Sequence, residues 1–471
     1  MRICLIAEGS YPYITGGVSS WIHSIITLMP EHEFIIFAIG AQSSQQGQFK
    51  YDLPPNVVEV KEIFLDAYLF EQSEWGSRFR LSAAKKRDVR SLLGGEDEID
   101  WANIFDLLRS NQFREASDFL LSKDYFDILE ELCQTKYNLV PFTEMFWTVR
   151  SMILPLLLTL RHDIPKADVY HSVSTGYAGV IGALAKHVHG SPFLLTEHGI
   201  YSREREEEII KADWVKGYFK DLWIEYFYRL SGCAYEAADQ VITLFGRNKE
   251  IQIELGCNPD KISVIPNGVN SENYADLIRA PKDGKIRIGA IVRVVPIKDI
   301  KTMLQSFALI KREIPQAELT IMGPIEEDQE YYEECLQMIE ALEVKDVQFT
   351  GSVRVLDYLG QMDVLMLTSI SEGQPLAILE GMACSKPFVA TNVGSCRELL
   401  EGVDDGIGPA GFVAPVMHYE QIANSVIKLC KDEQLRESMG RNACERVKIY
   451  YKNEAVITGY RELYQSLGRR A

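Results

Sequence analysis

Short apolar runs alternate with longer stretches whose apolar residues recur every three or four positions, and this alternation continues along most of the chain. Brief runs rich in Ile, Val, Leu and Phe fit parallel strands covered on both faces. The longer periodic stretches fit the helices that cover them. In the first half, strands are expected at 3–7, 34–39, 169–171, 193–196, 240–244 and 262–265, with helices at 18–28, 177–187 and 215–238. A second series gives strands at 286–292, 318–322, 347–349, 364–367 and 388–390, and helices at 300–312, 331–341, 375–384 and 422–430. Two closing helices follow at 433–451 and 455–467.

Two successive α/β series imply two facing Rossmann-like domains with a cleft between them. The polar, Pro/Gly-bearing stretch Arg279-Ala280-Pro281-Lys282-Asp283-Gly284 reads as the joint. The expected division is 1–278, 279–450, and a final segment, 451–471. Between about 61 and 161 the strand pattern stops and helix-like, aromatic and charged sequence takes over. An unstructured loop of that length is uncommon in a compact domain, so a helical insertion is expected, either as extra core or as an acceptor or partner surface.

Composition changes this picture little. With 471 residues the chain exceeds one ordinary core, and 46% hydrophobic with 25% charged residues describes a globular protein. A net charge of −18 argues against nucleic acid or a broad anionic membrane as partner, and requires any phosphate site to gather positive charge locally. Nine cysteines without C-x-x-C pairs point to reduced thiols. The first residues read as a strand rather than a signal peptide, and the most apolar later run, 152–160, is too short to span a bilayer, so a cytoplasmic location is expected.

Four separated clusters could serve one ligand. Gly16 and Gly17 follow the first strand and open a helix, where backbone N–H groups can approach a phosphate closely. Thr196-Glu197-His198-Gly199 follows another strand. Arg293 and Lys298 lie just past strand 286–292, at the strand edge where α/β sheets bind ligands. The segment Ser371-Glu372-Gly373-Gln374-Pro375-Leu376-Ala377-Ile378-Leu379-Glu380 sets two carboxylates eight positions apart, one in a loop and one on a helix. Pro375 is expected in that helix's first turn, where its missing N–H costs nothing. The free N–H groups there suit an anion. Each cluster alone also fits a turn, a structural histidine, a solvated basic pair or a helix cap.

Taken in order, and with Ile265-Pro266-Asn267-Gly268-Val269 at the end of the first domain, these segments resemble the retaining glycosyltransferases of family 4, of GT-B fold. The opening Ile6-Ala7-Glu8-Gly9-Ser10-Tyr11-Pro12 and the helical insertion further resemble the glycosyltransferases of bacterial Pel exopolysaccharide synthesis. The resemblance implies a UDP-sugar donor (UDP-glucose in the narrower group), retention of the α configuration, and a growing polysaccharide or other sugar as acceptor. Arg293 and Lys298 would hold the diphosphate, aided by Gly17 and by the helix start at Gln374, Pro375, Leu376 and Ala377. Glu380 would take ribose hydroxyls, Glu372 and His198 the sugar, and Val353 with Arg354 the base. The final helix would cross back to the first domain.

No Asp-x-Asp occurs, so the basic pair would replace a donor-bound metal ion. Partners would include polysaccharide synthesis and export proteins of an inner membrane. Two other readings fit the architecture: a UDP-sugar epimerase, and a UDP-sugar-binding scaffold in a polysaccharide machine.

Overall fold

The computed structural model describes residues 1–66, 80–110, 115–274, 277 and 283–469. Residues 279–282 of the expected joint, and 67–79 and 111–114 of the expected insertion, lie outside the described residues. The chain divides into two compact units. One comprises Met1–Thr243, Lys249–Ser263 and Tyr460–Ala471, the other Leu244–Asn248 and Val264–Gly459.

The first unit is built on a seven-stranded sheet. Its strands are β1 (Arg2–Glu8), β2 (Glu33–Gly40), β3 (Val57–Phe64), β4 (Val169–Ser172), β5 (Phe193–Glu197), β6 (Gln240–Thr243) and β7 (Ile262–Val264). They are ordered β3-β2-β1-β4-β5-β6-β7, so the order reverses at β1 and β4. β1 and β2 are buried along nearly their whole length, which explains their continuous apolar runs.

β3 escapes the sequence pattern because it is an edge strand. Glu59, Lys61 and Glu62 interrupt its apolar residues, and such charges discourage pairing with another chain. It also carries the chain to Phe64, so the helical region begins later than the expected position 61.

That region contains Ala83–Leu92, Trp101–Leu108, Ala116–Leu120, Lys123–Thr135 and Phe142–Arg161. Their buried faces, including Leu92, Phe105, Leu129 and Met152, join Phe37 and Tyr170 of the sheet in one continuous core. The helices are therefore core-forming. Among the described residues, no helix is long and apolar enough to cross a membrane.

The second unit carries a six-stranded, wholly parallel sheet. Its strands are β8 (Ile286–Ile291), β9 (Ala317–Met322), β10 (Val347–Phe349), β11 (Val364–Leu367), β12 (Phe388–Thr391) and β13 (Gly411–Ala414). The order β10-β9-β8-β11-β12-β13 reverses between β8 and β11. β13 was not expected; it is a four-residue edge strand opening on glycine. A Cβ on Gly411 would stand 2.1 Å from the Phe388 carbonyl oxygen, so only glycine lets the strands pair here. Helix Ile300–Glu313 covers one face through Met303, Leu304, Phe307 and Ile310.

Candidate active site

In the second unit the loops leaving β8, β11 and β12 are tied together at the carboxyl edge of the sheet. Thr368 Oγ1 donates to the carbonyls of Lys298 and Asp299 at 3.1 and 2.9 Å, and the Ile370 amide donates to the Ile297 carbonyl at 2.8 Å. Thr391 Oγ1 donates to the Ser369 carbonyl at 2.6 Å, and the Ser395 amide to the Gly373 carbonyl at 2.9 Å. Gly394 makes the last approach possible: its φ is +51°, and a Cβ would lie 2.1 Å from the Gly373 oxygen.

These ties bring two predicted residues together. Lys298 Nζ lies 2.6 Å from Glu372 Oε1, and Ser369 Oγ donates to the same oxygen at 2.6 Å. The two side chains are only 17% and 11% exposed. Lys298 closes a short turn, Pro296–Lys298, after which Asp299 turns left-handed and caps helix Ile300–Glu313 through the Thr302 amide. The pair thus sits where the strand order reverses, at a place that α/β sheets use for ligands.

Helix Leu376–Ala383 begins directly behind Glu372, with no side chain capping its start. Pro375 precedes the first helical residue, with ψ of 113°, rather than occupying the first turn as expected. Gln374 is buried, and its Oε1 accepts from the Asn267 amide at 2.5 Å. The Ile265–Val269 segment is thereby joined to the acidic loop. Leu376 and Ala377 are half-buried. Glu380 is half-buried beside Tyr274, and burial raises its carboxyl pKa against the opposing hydrogen bond from that phenol.

Arg293 is not drawn into this cluster. Its Nη1 pairs with Glu327 Oε2 at 2.7 Å in an exposed position. Val353 packs against the core of the second unit, while Arg354 is exposed, its carbonyl accepting the Asp357 amide. The loop holding them starts from Gly351 (φ +68°), which forms a bridge to Gly323. Among the described residues no three His, Cys, Asp or Glu side chains converge to hold a metal ion.

Comparison with known proteins adds a family. Residues 1–260 match the model described as "Domain of unknown function (DUF3492)", and residues 277–446 match "Glycosyl transferases group 1". Residues 277–446 form a group 1 glycosyl transferase domain, and the protein is a sugar transferase. The chain belongs to the family of that domain of unknown function, whose model spans more than half of it.

Among curated relatives, the N-acetyl-alpha-D-glucosaminyl L-malate synthase of Bacillus anthracis is 30% identical over 175 residues, 37% of this chain and 43% of its own length. An Escherichia coli UDP-Gal:alpha-D-GlcNAc-diphosphoundecaprenol alpha-1,3-galactosyltransferase is 26% identical over 70% of this chain and 86% of its own. Among solved structures, Anabaena HepE in complex with UDP and glucose superposes with a TM-score of 0.61 at 16% identity, covering 99% of this chain and all of that one. The fold is therefore GT-B: two Rossmann-like parallel-sheet domains.

The first unit of the glycosyltransferase holds the remaining predicted residues. Gly16 and Gly17 are exposed at the start of helix Gly17–Thr27, which no side chain caps. A Cβ on either glycine would meet nothing within 4 Å, so the protein's own packing does not require glycine there. Close approach of a ligand would.

His198 lies edge-on to Trp21, ring centroids 4.8 Å apart, and its buried Nε2 has no hydrogen-bond partner among the described residues. Burial lowers its pKa to about 4. His171, held by Tyr464 Oη at 2.7 Å and Thr196 Oγ1 at 2.8 Å, is lowered by burial to about 3, helped slightly by His198. Both rings are neutral at physiological pH.

An unfolded histidine titrates near 6.5. Folding stability from these rings is full above that value and declines as pH falls towards about 4. His198→Gln should therefore flatten the loss of melting temperature between pH 6.5 and 4. Coincident wild-type and variant curves would rule out the assigned burial effect.

Sequence reasoning passed over Glu8, at the carboxyl end of β1. It accepts from the Tyr201 hydroxyl at 2.9 Å and the Ala178 amide at 3.2 Å, and burial raises its carboxyl pKa. An acid ending a central parallel strand was a legible signal. Tyr201 was hidden in helix Tyr201–Lys211, whose charges surround it and leave little apolar stripe to read. Tyr274, the partner of Glu380, gave no signal of its own, while Asn267, the partner of Gln374, lies in the Ile265–Val269 segment already singled out.

Proposed function

We propose that this glycosyltransferase moves a hexose from a UDP-sugar to a saccharide acceptor, with retention of configuration and without a metal ion. The observation that carries the reading is the Lys298–Glu372 pair, half-enclosed at the strand-order reversal beside an uncapped helix start. Support for the donor comes from UDP-Gal in the name of one relative and from UDP and glucose in the HepE complex. UDP-glucose is the favoured donor. The opening segment and helical insertion favour exopolysaccharide synthesis of the Pel kind, in the cytoplasm beside membrane-bound synthesis and export proteins.

In this reading the bond from the anomeric carbon to the diphosphate oxygen breaks as the acceptor oxygen attacks the same face. The acceptor's proton passes to the departing phosphate. Lys298 supplies a compact charge to that phosphate, and Arg293 leaves Glu327 to grip it with a planar fork. The N–H groups of Leu376 and Ala377 add donors aimed at the developing charge. Glu380 and Tyr274 take ribose hydroxyls, Glu372 a sugar hydroxyl, while Val353 and Arg354 flank the base. Neutral His198 offers its unpartnered Nε2 to the sugar.

A panel of UDP-sugars assayed for UDP release, with oligosaccharide acceptors, tests this. Arg293→Ala and Glu380→Ala should each lower turnover at least tenfold, and EDTA should leave the wild type active. Normal turnover in both variants would displace the site. Activity lost to EDTA and restored by magnesium would refute the metal-free step. Donor incubated alone should yield no epimer.

A further inference from the structure

The helical region of the first unit contains a hollow of about 380 Å³ that the transfer reaction above does not use. It lies between helix Phe142–Arg161 and the start of helix Gly217–Ala237 with the segment before it. Its floor is apolar: Val215, Phe219 and Trp223 are buried. Its rim carries Trp147 and Trp214, which are 59% and 69% exposed. Large exposed aromatic rings gathered at one hollow mark binding surfaces.

Both rings are held in place rather than loose. The Arg150 guanidinium lies 5.5 Å from the Trp147 ring centroid, and Trp214 stands edge-on to Trp223 at 5.6 Å. Polar groups line the same hollow. Thr143, Trp147 and Ser151 fall four residues apart on one helical stripe, rising about 6 Å per step. Beside them Lys216 Nζ pairs with Glu144 Oε1 at 2.9 Å, and the Tyr218 hydroxyl also donates to Glu144.

We infer that this hollow is a second saccharide site, holding part of an extended acceptor chain away from the transfer centre. A sugar ring presents C–H bonds on its faces, which the negative face of an indole attracts, and hydroxyls at its edges. Flat rings flanked by hydroxyls, a carboxylate and an ammonium match both features. An anionic membrane fits poorly, because the rim pairs its lysine with a glutamate and the chain carries a net charge of −18. A wholly apolar partner would strand the Glu144–Lys216 charges. The inference rests on the proposal that the acceptor is a saccharide.

The test is a binding titration without any nucleotide sugar, so that it stands apart from donor chemistry. Cellohexaose, maltohexaose and chitohexaose are added to the full chain while indole fluorescence is followed. At least one should bind saturably, and the double variant Trp147→Ala/Trp214→Ala should bind it at least tenfold more weakly. The same variant should keep wild-type UDP release with a monosaccharide acceptor and raise KM for the bound hexasaccharide when it serves as acceptor. Thr148→Arg fills the hollow without truncating a ring, and should lose binding too if the double variant is poorly folded. The inference fails if no hexasaccharide binds the wild type, or if both variants bind as tightly. It also fails if the tryptophans control binding only to phosphatidylglycerol vesicles.

Discussion

Lys298→Ala is expected to lower kcat/KM for sugar transfer by about 10²–10³-fold, the usual cost of removing one preorganised donor from a developing negative charge. The lysine is positioned by backbone contacts that the substitution leaves alone: its carbonyl still accepts Thr368 Oγ1, and Asp299 still caps the following helix. The loss should therefore appear as slower turnover rather than as collapse of the loops. Glu372 would remain, hydrogen-bonded to Ser369 and without its cation. Adding Glu372→Gln should relieve that leftover charge and recover melting temperature without recovering activity. Initial rates of UDP release with circular-dichroism melts separate these effects. A variant that turns over within twofold of wild type would remove Lys298 from the chemistry.

The largest expected effect on stability lies away from the site. Arg446 is fully enclosed in the second unit. It donates to both oxygens of Asp405 at 2.6 and 3.2 Å, and to the carbonyls of Leu399, Leu400 and Gly408 at 3.1, 3.3 and 2.6 Å. Arg446→Met would leave the Asp405 carboxylate without its cation and take a donor from each of the three carbonyls, with an expected cost of about 3–5 kcal/mol. Urea unfolding followed in the second unit should show this as a lower midpoint, and an unchanged midpoint would refute it.

The pH dependence gives a second reading of the same pair. The Arg446 guanidinium holds the Asp405 carboxyl below its ordinary value. The pair's contribution is complete above the unfolded carboxyl's pKa and is lost as pH falls through the lower, folded one. That acid-side loss should disappear in the variant.

Much of the fold was legible because its central strands are buried on both faces. β1, β2, β11 and β12 read as nearly unbroken apolar runs. The edges β3 and β13 were not legible: one carries charges and the other is short and begins with glycine. Within the second unit, the spacing of Lys298 and Glu372 marked two groups that do meet. Arg293 shows the limit of such inference. Its place after β8 was readable, but its engagement with Glu327 depends on a loop after β9 that no local pattern announces. A partner such as Tyr274 is a long-range choice of the folded chain, made by a residue that looks ordinary in isolation.

The closing helix, Asn453–Gly468, has a consequence for synthesis. Its Tyr460 and Tyr464 belong to the first unit, where their hydroxyls meet Thr196 and His171 at 3.2 and 2.7 Å and both rings are fully buried. While the ribosome is still making the second sheet, Thr196 and His171 lack the two tyrosines that cover them. The amino-terminal unit must therefore wait, incompletely sealed, until the codons for Tyr460 and Tyr464 are read. Nascent chains halted before Tyr460 should remain protease-sensitive around β4 and β5, and acquire resistance only once that tyrosine pair has emerged.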